Sequence, residues 1–190
     1  VELALDQIGA AMARMDSLIE DIMSVARNRS APAELNEVPV NELLTELKEK
    51  LVDQPGFERA KLRFSVPENL SLVTVRAYLV QILENLVSNA VKYQDPNQSD
   101  PVVDLKITDD GEYCAISVSD NGLGVPKESQ AQLFTMFKRF HPGVATGSGL
   151  GLYLVRQNAL ALGGDATFTP QDSGSRFDVR ILTNLKRAAA

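Results

Sequence analysis

The apolar residues of this 190-residue chain change their spacing repeatedly, and that change restricts the fold more than any single residue does. From Val1 to Ala26 they fall at Val1, Leu5, Ile8, Met12, Met15, Ile19, Ile22 and Ala26, with a second file at Ala4, Ala11, Leu18 and Val25. This unbroken 4-3-4-3 spacing predicts one long helix over 1–29 with a seam of the kind that packs in a bundle. At 1.5 Å per residue it would reach roughly 40 Å, more than one small domain covers. Pro32 sets its end. Beyond it the period alternates. Leu43, Leu44, Leu47 and Leu51 mark a helix face, with Asn41 as its expected N-cap. Leu62, Phe64 and Val66 alternate as a strand, and Leu72–Val75 reads as another. Leu79, Ile82, Leu83, Leu86, Val87, Ala90 and Val91 define a helix over about 76–93. Val103, Leu105 and Ile107, then Cys114, Ile116 and Val118, form a hairpin around Asp109-Asp110-Gly111. Helices are expected over about 127–137 and 149–162, the second stopping at Gly163-Gly164. Two strands near 166–169 and 177–182 follow, and 183–190 reads as a frayed tail. The order predicts an α/β two-layer sandwich, a mixed sheet with helices on one face, preceded by one long bundle-type helix.

Charge and rare residues narrow the functional classes. Acidic residues outnumber basic ones, 25 to 19, which argues against nucleic acid as a partner. Cys114 is the only cysteine, so neither an intrachain disulfide nor a cysteine-based zinc site is expected. His141 is the only histidine, which removes histidine-rich metal sites. No apolar run approaches the roughly 20 residues of a membrane span and no signal peptide is recognisable, so membrane contact by this segment is not expected and a cytoplasmic location is.

Three short polar segments stand apart from the core pattern. In ENLVSNAVKY, Asn85, Asn89 and Lys92 share one helix face. Asn is a poor helix former, so the pair suggests amide oxygens wanted there, with Lys92 as a point charge for phosphate; a plain solvated face is the alternative. Asp120-Asn121-Gly122-Leu123-Gly124 ends a strand, either as a turn or as a carboxylate held beside glycines that let a ligand approach. Thr146-Gly147-Ser148-Gly149-Leu150-Gly151-Leu152 precedes a helix and bares N–H groups suited to phosphate. It is neither a Walker-type loop, having no Gly-Lys, nor a dinucleotide fingerprint, since Leu152 stands where the third glycine belongs.

Together and in this order, Asn-x-x-x-Asn-Ala-x-Lys-Tyr, Asp-x-Gly-x-Gly and Gly-x-Gly-Leu-Gly-Leu resemble the N, G1 and G2 boxes of the GHKL ATPases, and among these the ATP-binding domain of sensor histidine kinases. Leu133-Phe134-x-x-Phe137-x-Arg139-Phe140 resembles their F box, and Gly174-Ser175-x-Phe177 also fits. The resemblance covers about 38–182. The N-terminal helix, through Arg14-Met15-x-x-Leu18-Ile19-x-Asp21-Ile22, resembles the second helix of the dimerisation and phosphoacceptor domain. It implies a partial dimerisation helix over 1–30, a catalytic domain over 31–190, homodimerisation through that helix, and relay to the receiver domain of a response regulator.

The resemblance also implies roles. Asn89 would ligate Mg²⁺, with Asn85 facing the metal and phosphates. Lys92 would meet phosphate, and Tyr93 would pack near the nucleotide. Asp120 would accept a hydrogen bond from the adenine amino group, while Gly122 and Gly124 would allow a mobile lid. Gly147, Ser148, Gly149, Leu150 and Gly151 would present N–H groups to the phosphates of ATP or ADP, and Arg139 would reach the γ-phosphate. The family's acceptor histidine lies on a helix preceding the one resembled here, so the acceptor is expected outside this chain. Two other departures are a short lid between Phe140 and Gly147, and Val75 where many relatives carry Asp, with Thr74 as a substitute cap. A serine kinase of the anti-sigma type and a non-catalytic nucleotide-binding scaffold are the alternatives. His141 reads as an exposed loop residue, Cys114 as a buried structural thiol, and Phe134, Phe137 and Phe140 as packing.

Overall fold

The structure is a computed structural model; it describes residues 34–141 and 147–188, together with Gly9, Met12, Met15, Ile19 and Met23. Those five isolated positions are helical. Met12 and Met15 are each 62% exposed, Ile19 56% and Met23 50%, so this apolar file is uncovered. The remainder of the helix expected over 1–29, and the 142–146 part of the expected lid, lie outside the described residues.

The elements are β1 (Asn36–Pro39), α1 (Val40–Leu51), β2 (Lys61–Ser65), β3 (Ser71–Thr74), α2 (Arg76–Lys92), β4 (Val102–Asp109), β5 (Tyr113–Asp120), α3 (Gly151–Ala161), β6 (Asp165–Pro170), β7 (Ser175–Leu182) and the single turn α4 (Leu185–Ala188). Five strands form one mixed sheet in the order β2-β4-β5-β7-β6, with β2 parallel to β4 and the other neighbours antiparallel. β1 and β3 pair antiparallel as a separate two-stranded ribbon. Among the described residues, no helix is long and apolar enough to cross a membrane.

The two apolar periods meet at the layer boundary. Every second residue of the central strands points one way: Val103, Leu105 and Ile107 from β4, Cys114, Ile116 and Val118 from β5, and Phe177, Val179 and Ile181 from β7 are buried. Leu105 faces Val118, and Val118 faces Phe177, across the ladder. The helices lie on that face. α2 buries the whole stripe expected from its spacing, with Tyr78 added. Leu79, Ile82, Leu83 and Leu86 are each at most 1% exposed, and each contributes roughly 1.5–3 kcal/mol of transfer free energy. Cys114 is buried as expected, and burial pushes its thiol up to about 12, with the Asp109 and Asp110 charges adding to the effect. Such a thiol is inert.

Helix boundaries depart from expectation where side chains found other partners. Asn41 does not cap α1; its amide donates to the Pro67 and Glu68 carbonyl oxygens at 3.0 and 2.7 Å, and the cap position is Pro39. Thr74 does not cap α2, which starts from Val75 without a side-chain cap. The helix expected over 127–137 is a 3-10 turn over Lys127–Gln132. Leu133 then turns into the core, and Phe137 takes φ +63° with its N–H on the Gly149 carbonyl. Phe134 and Phe140 pack on the core as expected, but Phe137 is 59% exposed. α3 begins at Gly151 rather than Gly149, because Gly149 has φ +77°. The start of the expected frayed tail is anchored: Val73 donates to the Thr183 carbonyl, Thr183 donates to the Glu112 carbonyl, and Val73 bridges to Asn184.

Gly163-Gly164 ends α3 as expected, in a Schellman arrangement. Gly164 N–H bonds to the Ala159 carbonyl and Gly163 N–H to the Leu160 carbonyl, with Gly163 at φ +76°. A Cβ on Gly164 would overlap the Arg180 carbonyl oxygen of β7, a backbone atom that cannot rotate away. Gly164→Ala should therefore destabilise the chain by about 2–3 kcal/mol and Gly163→Ala by about 1–2 kcal/mol, read from urea denaturation midpoints.

Candidate functional site

One file of the sheet ends in a charge. Cys114, Ile116, Val118 and Asp120 share the inward face of β5, so Asp120 stands where the next core residue would be. Its position at the strand end leaves it at the edge of the core. Gly122 N–H donates to Asp120 Oδ1 at 2.9 Å, and the Ser175 N–H, opposite in the β5–β7 register, also bonds the carboxylate. Desolvation outweighs these bonds and raises the carboxyl from 3.8 to about 6. Gly174 holds this corner: φ is +81°, and a Cβ would overlap the Asp120 carbonyl.

Beside Asp120 lies the C-terminal half of α2. The stripe that packs into the core leaves Asn85, Asn89 and Lys92 on the adjoining face, and these open onto a pocket with Asp120. Asn85 Nδ2 donates to the Gln81 carbonyl at 2.8 Å, so its Oδ1 is the end left to face outward. The third wall is the glycine loop before α3. Gly149 folds back on Phe137 and Lys138, where a Cβ would sit 2.8 Å from the Phe137 carbonyl carbon. At Gly151 a Cβ would sit 2.5 Å from Asn85 Oδ1, so only glycine lets α3 begin this close to α2.

Eleven of the thirteen residues singled out from the sequence line this one pocket: Asn85, Asn89, Lys92, Tyr93, Asp120, Gly124, Arg139, Gly147, Ser148, Gly149 and Gly151. Gly122 and Leu150 do not. Gly122 packs where a Cβ would overlap the Tyr93 carbonyl oxygen, and the next residue, Leu123, donates to that same oxygen. Leu150 is 1% exposed, and its N–H is already taken by Ser148 Oγ at 3.1 Å.

His141 differs from the sequence expectation. It is half-buried, lines the pocket and places Nε2 2.9 Å from the Gly124 carbonyl oxygen, its ring 5.9 Å from that of Tyr93. A carbonyl only accepts, so Nε2 carries the proton in this contact. Ser175 also lines the pocket, opposite Asp120 in the β5–β7 register; its signal in the sequence is the Gly174-Ser175-x-Phe177 segment. No periodicity points to His141.

Charge is concentrated locally. Among the described residues, Lys92, Lys138 and Arg139 line the pocket against one carboxylate, Asp120, in a chain of net charge −6. The N-terminus of α3 adds its dipole. Burial raises the Tyr93 phenol, and the Arg139 guanidinium partly opposes that shift. No cluster of three or more His, Cys, Asp or Glu side chains suited to a metal occurs among the described residues. Among the oxygen donors at the pocket are the Asn85 and Asn89 amides, hard ligands of the kind that suit Mg²⁺ when phosphate oxygens complete the set.

Comparison with known proteins finds relatives along most of the chain. The aerobic respiration control sensor protein ArcB of Escherichia coli K12 is 31% identical over 192 residues, 95% of this chain and 24% of that protein. The circadian input-output histidine kinase CikA of Synechococcus elongatus is 32% identical over 173 residues, 86% of this chain and 22% of that one. The chain thus spans about a quarter of the length of these curated relatives. The solved Acinetobacter baumannii histidine kinase AdeS shares the fold, with a TM-score of 0.76 at 18% identity over 96% of this chain and 85% of that one. Full-length ShkA in complex with AMPPNP matches with a TM-score of 0.73 at 26% identity over 95% of this chain and 38% of that one. The model of the histidine kinase-, DNA gyrase B-, and HSP90-like ATPases matches residues 74–185, and the chain belongs to that family.

Proposed function

We propose that the chain is the ATP-binding catalytic portion of a two-component sensor histidine kinase, which places the γ-phosphoryl group of ATP for transfer to a histidine outside this chain and onward to a response-regulator receiver domain. The observation that carries this reading is the convergence of two helix-borne amides, a strand-end carboxylate, three cations and a glycine loop on one pocket. The sensor kinases among the relatives and the AMPPNP complex of ShkA support it over a serine kinase or a silent scaffold.

In this reading Asp120 accepts from the adenine amino group, with Tyr93 beside the base. Gly147, Ser148, Gly149 and Gly151 offer backbone N–H groups to the phosphates, and Lys92, Lys138 and Arg139 offset their charge. Asn89, with Asn85 beside it, would hold Mg²⁺, which supplies charge neutralisation on the phosphate oxygens when bound. The protein's part is positioning and electrostatic stabilisation rather than covalent chemistry. His141, tied to Gly124, is not set as the acceptor. Residues 1–30 would form half of a helical hairpin that pairs the parent protein into a homodimer, consistent with the uncovered Met12, Met15, Ile19 and Met23.

Titration calorimetry should give Mg²⁺-dependent binding of ADP. ATP should bind about 10- to 150-fold more tightly than GTP, because guanine offers a carbonyl where adenine offers an amino group to Asp120. Absence of heat at millimolar ADP with Mg²⁺ would contradict the reading.

Asp120→Asn tests the buried carboxylate in two directions. The wild-type carboxyl binds its proton more tightly folded than unfolded, so stability is fully present below about pH 4 and declines as pH rises through about 6. The shift from 3.8 to about 6 corresponds to a loss on the order of 3 kcal/mol. The Asn variant should unfold at higher urea than wild type at pH 7.5, lose that advantage at pH 4, and bind ATP about 10- to 150-fold more weakly at pH 7.5.

Self-association is read by light scattering. The full chain should exceed monomer mass and a 32–190 truncation should not; monomers in both cases would remove the role assigned to residues 1–30.

A further inference from the structure

Asn158 sits in the interior of α3 and is 1% exposed, between Val155, Ala159 and Leu162, none more than 0% exposed. The apolar pattern of α3 calls for an aliphatic side chain there, and Asn both weakens a helix and loses water on burial. Its Nδ2 donates to Gln81 Oε1 of α2 at 2.7 Å, a bond between residues 77 apart in the chain. Gln81 is half-buried, one turn before Asn85, and its main-chain carbonyl receives Asn85 Nδ2 at 2.8 Å. Seven residues before Asn158, about two turns and on the same face of α3, Gly151 meets Asn85 Oδ1. α3 is therefore held on α2 at two points: an amide–amide bond at Gln81–Asn158 and a close abutment at Asn85–Gly151.

Apolar packing alone is non-directional and tolerates sliding between helices. A single abutment at Gly151 would stop approach but allow α3 to pivot. The second point, roughly 10 Å along α3, removes the pivot. We propose that Gln81 and Asn158 form a positioning pair that sets the register of α3 against α2, and so the distance between the Asn85 and Asn89 amides and the N–H groups of the glycine loop. This rests on the nucleotide reading above. Neither side chain lines the pocket, so the pair acts on bound phosphate only through the two helices.

The test compares stability with nucleotide affinity in Asn158→Leu, Gln81→Met and the double variant, using Mg·ADP as the probe. Replacing both partners of a buried polar pair by apolar side chains is often neutral or stabilising, so the unfolding midpoint of the double variant without nucleotide should not fall, whereas each single variant, which leaves one amide without this partner, should unfold at a lower urea concentration. Each single variant should also bind Mg·ADP about 10-fold more weakly, the scale of loss when a supporting residue shifts its neighbours. The double variant should be no weaker than the weaker single one, since both remove the same bond. Unchanged affinity in a folded variant overturns the proposal, as does a double variant whose loss is the product of the two. Should a single variant fail to fold, the double variant decides alone on the same criterion, because it replaces both amides and leaves neither buried without its partner. If the wild-type chain itself fails to bind Mg·ADP, the nucleotide reading falls and this proposal with it; wild-type binding with unaltered variants overturns this proposal only.

Discussion

The site depends on how closely α2 and α3 approach one another. α2 is seated by a buried stripe from Tyr78 to Val91 against the sheet, which leaves it little freedom to roll. Its polar face then has one direction to point, across the rim of the sheet. α3 must begin at that rim for its N–H groups to share a pocket with Asn85 and Asn89. Gly151 permits this, since a Cβ would stand 2.5 Å from Asn85 Oδ1. The glycine is thus a packing requirement before it is a ligand-binding one.

Asp120 meets the same pocket from the sheet. The alternation that buries Cys114, Ile116 and Val118 delivers the carboxylate to the core edge without any local device. The cost is a carboxyl raised to about 6, only partly relieved by the Gly122 and Ser175 N–H groups. A charge held against its own solvation is a common price of a recognition site. The amide bond at Gln81–Asn158 extends the same logic to the helices, where polar groups occupy positions that apolar ones would fill more cheaply.

Most of the architecture was legible because its signals are periodic. The α2 stripe is legible from spacing alone and the β4–β5 hairpin from alternation around an Asp-Gly turn, and all seven apolar positions expected on α2 are buried. Failures cluster where a side chain serves a partner far away in sequence. Asn41 looked like a cap, but it binds carbonyls 26 and 27 residues away. The helix expected to 137 stops early because the Phe137 N–H pairs with Gly149. The tail is anchored at Thr183 and Asn184 by a carbonyl of residue 112 and by β3. The pairing of β1 with β3 as a separate ribbon has no local signature either. At the site, eleven of the residues singled out by the motifs line one pocket, while Gly122 and Leu150 are packed away from its lining. His141 reads from the sequence as an exposed loop residue because its contact with Gly124 is made by tertiary structure alone.

The central claim is that α2, the end of β5 and the glycine loop form one adenine-nucleotide site. A crystal structure of the chain grown with Mg²⁺ and AMPPNP tests it most directly. The account predicts the adenine amino group within hydrogen-bond distance of the Asp120 carboxylate, phosphate oxygens on N–H groups of the 147–151 loop, and Asn89 facing the metal. Nucleotide bound away from Asp120, or with its phosphates turned from that loop, would contradict it.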